Sequence, residues 1–115
     1  MEITAAAPII PVTVIHFTGF NSDSTDHNTF LGYASGYSNS RGQRNTFIGS
    51  QAGYYNTTGQ YNTFLGRIAG INNQTGNENT FLGLRAGAAN VSGNNNIAIG
   101  TNALVFNQTQ NSLVA

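Results

Sequence analysis

Apolar residues in this chain come in short bursts at an even spacing. Thr29-Phe30-Leu31, Thr46-Phe47-Ile48, Thr63-Phe64-Leu65, Thr80-Phe81-Leu82 and Ile97-Ala98-Ile99 each follow an asparagine, precede a glycine and lie 17 residues after the last. A β-branched and aromatic burst closed by glycine predicts a strand and its turn. Between bursts the chain is rich in Gly, Asn, Thr and Ser, which predicts turns.

Such a period marks a repeat architecture. Units begin at Asn28, Asn45, Asn62, Asn79 and Asn96, and Asn111 reads as the start of a partial sixth, after a spacing of 15. The chain therefore divides into a non-repeat segment, 1–27, and a repeat domain, 28–115. Counting from each opening Asn, position 3 is Phe30, Phe47, Phe64 and Phe81, then Ala98. Position 4 is Leu31, Ile48, Leu65, Leu82 and Ile99. Position 5 is always Gly, position 8 is Ser35 or Ala, and position 9 is Gly until Leu104. Position 12 is Asn39, Asn56, Asn73, Asn90 and Asn107, and position 15 is Gly until Gln110.

Helix is excluded, because glycine and asparagine at this density would cost several kcal/mol per unit at roughly 0.5–1 kcal/mol each. Gly and Asn at fixed places instead predict backbone turning with positive φ. Each unit reads as one coil with two short strands, near positions 1–5 and 7–11. One coil buries nothing alone, whereas stacked coils pair each strand with its copy at about 4.8 Å. The expected fold is all-β: a parallel β-solenoid, or β-roll, of about five 17-residue coils.

Side chains alternate along a strand, so positions 2 and 4 share one face and position 3 takes the other. Both faces are apolar. On this reading Thr shares the inward face with Leu and Ile, and the Phe ladder packs on another chain or layer, since an exposed Phe stripe invites aggregation. A wider coil enclosing both faces is the alternative. The Asn column at position 12 predicts a hydrogen-bonded turn ladder.

Composition narrows the function. Only 7% of residues are charged and net charge is zero, against about 25% charged in ordinary domains. That gives no footprint for nucleic acid. Cysteine is absent, which removes disulfides and thiolate metal sites. No apolar run approaches the roughly 20 residues of a membrane span. The stretch Ala5 to Phe20 lacks a basic start and does not read as a signal peptide.

The units NTFIGSQAGYYNTTGQ and NNNIAIGTNAL resemble the repeats of trimeric autotransporter adhesin heads and similar repeats in phage tail fibres. Ile97-Ala98-Ile99-Gly100 followed by Asn102-Ala103 is the closest match, and the resemblance covers roughly residues 28–115. It implies three β-rolls side by side in a homotrimer, an extracellular, cell-surface or virion location, and no catalytic motif. The longer unit and the bulky Phe at position 3 depart from that family's pattern.

Asp23, Asp26, His27 and His16 offer oxygen and nitrogen ligands for a metal, but read more simply as a polar connector. So few acids argue against an enzyme, and no phosphate-binding glycine loop or other cofactor motif is present. Sequons at Asn56, Asn73, Asn90 and Asn107 all fall at position 12, so one turn rule explains them without glycosylation. Tyr33, Tyr37, Tyr54, Tyr55 and Tyr61 fall in the first units and suit a glycan- or protein-receptor patch. Arg41, Arg44, Arg67 and Arg85 either join that patch or discourage edge pairing. The Thr column raises ice binding, weakened if Thr points inward.

Ile9 to Phe20 reads as an extended cap or link, and Ser112 to Ala115 as a strand cut short. The expected protein is thus a structural or adhesive fibre module, cut from a longer fibre. A self-assembling filament and a monomeric glycan- or ice-binding solenoid are the alternatives.

Overall fold

The computed structural model describes residues 27–115. The extended segment and the Asp23, Asp26 and His16 cluster expected upstream lie outside the described residues. Within them the chain forms a parallel β-solenoid, with no helix among the described residues. Its strands are β1 (Thr29–Leu31), β2 (Thr46–Ile48), β3 (Thr63–Leu65), β4 (Thr80–Leu82) and β5 (Ile97–Ile99), paired in chain order in one sheet. Register is strict: Thr29, Thr46, Thr63, Thr80 and Ile97 align, as do Phe30, Phe47, Phe64, Phe81 and Ala98.

The face assignment is the reverse of the expected one. Phe47, Phe64 and Phe81 are fully buried inside the coil, while Leu31, Leu65 and Ile99 are 36%, 46% and 60% exposed. The cause lies across the coil. A Cβ on Gly53 would meet the Phe47 ring at 2.5 Å, and Ala52 beside it is fully buried. The small pair at positions 8 and 9 is therefore a socket for one phenyl ring per coil. The rings stack nearly parallel at 4.8–5.0 Å. Thr and Leu or Ile then face outward by alternation.

The rest of the interior is polar. Asn39, Asn45, Asn56, Asn62, Asn73, Asn79, Asn90 and Asn96 are fully buried. At position 12, Asn56 Nδ2 donates to Asn39 Oδ1 at 2.8 Å and to Gly59 O at 3.1 Å. At position 1, Asn45 Nδ2 closes its own coil on Gly59 O at 2.8 Å, and its Oδ1 accepts from Asn62 N at 2.9 Å. Each amide thus meets donor and acceptor needs that burial would otherwise leave costly. The expected turn ladder is present, and a second ladder at position 1 accompanies it.

The expected second strand is absent. Positions 6–11 are turns, because positions 7 and 9 both take left-handed backbone, as in Gln51 (φ 60) and Gly53 (φ 60). They still stack, with Gly53 N donating to Ala69 O and Tyr55 N to Ile71 O, both at 3.0 Å. Positive φ was expected at Gly and Asn columns and falls partly elsewhere. Ala34, Gln51, Ile68, Arg85 and Asn102 carry it at position 7. His27, Arg44, Tyr61, Glu78 and Asn95 carry it just before each opening Asn. Gly59 lacks it; there a Cβ would meet the Gly76 carbonyl oxygen at 2.5 Å.

The period does not shorten at the last turn. Ile97 bridges Val114 in parallel, 17 residues on, and Leu113 N donates to Asn96 Oδ1 at 2.8 Å. Leu113, not Asn111, therefore occupies the opening position of the sixth unit. Asn111 continues a third column, in which Asn77 Oδ1 accepts from Gln60 N and Asn94 Oδ1 from Asn77 N.

Candidate functional site

With Phe and Asn enclosed, two outward surfaces carry chemistry. The first is the strand face. Thr29, Thr46, Thr63, Thr80 and Ile97 form one straight column, and Leu31, Ile48, Leu65, Leu82 and Ile99 form another beside it. Neither column holds a charge. The Thr column is outward, not inward as expected: Thr29 and Thr63 are exposed, Thr46 and Thr80 half-buried.

The second surface is the turn edge after the strands. Tyr37 and Tyr54 stack at 4.9 Å with planes 4° apart, and Tyr55 stands edge-on to Tyr54 at 4.6 Å. Burial pushes the Tyr54 hydroxyl above the ordinary tyrosine value, with repulsion from Tyr37, Tyr55 and Tyr33 adding to it. Tyr33 and Tyr55 are about half exposed. Four of the five expected tyrosines thus come together. Tyr61 does not: it lies at the opposite end of the strand, under the Arg44 guanidinium at 5.5 Å.

Arg67 and Arg85 join the turn edge. Arg85 N donates to Arg67 O at 3.1 Å, as Gln51 N does to Tyr33 O at 2.7 Å. Position 7 of each coil therefore sits on position 6 of the coil before, and the two guanidiniums extend from adjacent coils. The described residues hold four arginines and one acid, Glu78, which lies at the far end of the strand beside position 1. The sequence separated these arginines into different columns, so their adjacency was not read from it.

Three of the four position-12 sequons are structural. Asn56, Asn73 and Asn90 are fully buried with their amides in the ladder. His27 is exposed, and no group of three metal-ligating side chains converges among the described residues. Past β5, Leu104, Phe106 and Leu113 line an open depression, with Phe106 almost wholly exposed. No helix among the described residues is long and apolar enough to cross a membrane.

No family model matches the chain, and neither a curated protein nor a solved structure is significantly similar to it.

Proposed function

We propose that the protein is a structural and adhesive fibre module of a bacterial surface or a phage-type particle, working as a homotrimer of side-by-side solenoids and not as an enzyme. The observation that supports this best is the outward column of Leu31, Ile48, Leu65, Leu82 and Ile99, uncharged and in register. Completing the burial of Leu31, Leu65 and Ile99, at 36%, 46% and 60% exposed, is worth about 2–4 kcal/mol per chain, taking roughly 1.5–3 kcal/mol for each full burial, and the half-buried Ile48 and Leu82 add less. That approaches the lower end of the cost of association. A column repeated every coil also suits a partner with the same repeat. The resemblance of Ile97-Ala98-Ile99-Gly100 to adhesin-head repeats points to three chains. Stacked rings and amide ladders supply stiffness, and the turns display side chains to a host glycan or protein receptor.

Light scattering of the purified chain tests the reading. A trimer is expected, and Leu65→Asp should give folded monomers, because Leu65 does not touch the Phe core. Long polymers would favour a filament instead. A wild-type monomer at tens of micromolar would remove the assembly claim.

A second reading follows from the outward Thr column. A flat, uncharged array of Thr beside Leu or Ile suits ordered water, and a monomer with measurable thermal hysteresis, lost in Thr46→Lys, would favour an ice-binding solenoid.

A further inference from the structure

We propose that the turn edge binds a carboxylated polysaccharide laid along the solenoid axis, with Tyr55 stacking against a sugar ring and Arg67 and Arg85 holding carboxylates. This deepens the adhesive part of the reading above and does not depend on the trimeric part.

Three observations converge. The first is the aromatic surface. Tyr54 is braced by stacking on Tyr37, and Tyr55 stands at 70° to it. The two rings thus form an angled step with hydroxyl rims, and Tyr55 is 48% exposed. Such rings present an apolar face to the C–H face of a sugar and a polar edge to its hydroxyls. Gln51, whose carbonyl accepts from Tyr54 N at 3.2 Å, adds an uncharged donor and acceptor beside them.

The second is charge. Arg67 and Arg85 lie on adjacent coils, joined by a backbone hydrogen bond at 3.1 Å. Both are exposed, and the single described acid is at the other end of the strand. Two guanidiniums carried by adjacent coils favour an anion lying between or beside them. The planar fork of each matches a carboxylate. Two cations are too few for a densely sulfated chain and suffice for one carboxylate per sugar.

The third is direction. Tyr54 and Tyr55 lie in the second coil, Arg67 in the third and Arg85 in the fourth, with successive coils 4.8–5.0 Å apart as the phenyl rings measure it. That rise is close to the advance of one pyranose in an extended chain. A polysaccharide along the axis therefore meets the aromatic step first and the arginines at successive sugars.

The chain has five tyrosines and no tryptophan, so its intrinsic fluorescence is tyrosine emission, and four of the five emitters lie in this cluster. The test titrates the full chain with oligogalacturonate, following that emission and confirming affinity by calorimetry. Saturable binding is expected. It should fall about tenfold or more in Tyr55→Ala and in Arg67→Gln, the loss of one good contact, and as much with the fully methyl-esterified oligosaccharide. Absence of binding overturns the proposal. So does binding that Tyr55→Ala leaves intact and dextran sulfate reproduces, since that is charge attraction alone. These variants sit off the strand face and should keep wild-type mass and circular dichroism. Loss of binding by them and loss of assembly by Leu65→Asp are therefore separate results.

Discussion

Ala98 and Leu104 exchange bulk across the fifth coil: Ala98 stands in the Phe column and Leu104 in the glycine column that elsewhere makes room for the ring. Ala98 is fully buried, and Leu104 packs against the same core. The coil keeps its filling by moving it from one wall to the other. Ala98→Phe alone should overpack the coil and cost about 1–3 kcal/mol. Adding Leu104→Gly should recover most of that loss. The coupling, read from thermal unfolding of the four variants in a double-mutant cycle, should exceed about 1 kcal/mol; additive effects would refute the exchange.

Ser35 occupies the small-residue position that Ala52, Ala69 and Ala86 fill in later coils. It is fully buried and its hydroxyl has no hydrogen-bond partner. Removing an unsatisfied buried hydroxyl relieves its desolvation cost, so Ser35→Ala should stabilise the protein by about 1 kcal/mol. Denaturant melts that show no gain would count against this.

Ile68 holds left-handed backbone at φ 53, while Asn102 holds the same position at φ 61. A β-branched residue tolerates that region poorly, at roughly 1–2 kcal/mol, and asparagine tolerates it better. Ile68→Asn should therefore raise the melting temperature despite lost apolar surface. The corresponding change at Arg85 should also be stabilising, though by less, because arginine is not β-branched.

Asn73→Asp would place a carboxyl in the middle of the buried ladder, where Asn73 Nδ2 now donates to Asn56 Oδ1 at 2.8 Å and to Gly76 O at 3.1 Å. An ionised carboxylate cannot donate and is penalised by desolvation, which raises its folded-state pKa above the ordinary value of about 4. The group then favours the fold only while protonated. Relative to wild type the variant should be least stable at neutral pH, and should recover as pH falls through that raised pKa toward 4. Melting temperatures measured between pH 3 and 8 check the sign; a pH-independent deficit would show that the carboxyl escapes the ladder.

The repeat and its strands were legible because Asn, Thr, Phe, Leu or Ile, and Gly recur at identical spacing. Which strand face turns inward was not, since alternation separates Phe47 from Ile48 without saying which is inside. The deciding signal lay in Ala52 and Gly53, too small to fill a coil but suited to receive a ring. The shared departure of Ala98 and Leu104 carried the same message. The sixth unit was misplaced because Asn occurs at more than one column, so Asn111 imitated an opening residue that is Leu113. Four tyrosines were grouped correctly by unit. Tyr61 was not, and the pairing of Arg67 with Arg85 went unread, because those placements depend on which column of one coil rests on which column of the next.

The amide ladder at position 12 has a sense. Asn56 donates to Asn39, Asn73 to Asn56, Asn90 to Asn73 and Asn107 to Asn90, so every carbonyl dipole points the same way. At the last rung Asn107 Oδ1 is buried with no donor. Two such faces set against each other would oppose oxygen to oxygen. A coil that brings an N–H would satisfy that rung, so the interior amides carry a single sense from the first coil to the last.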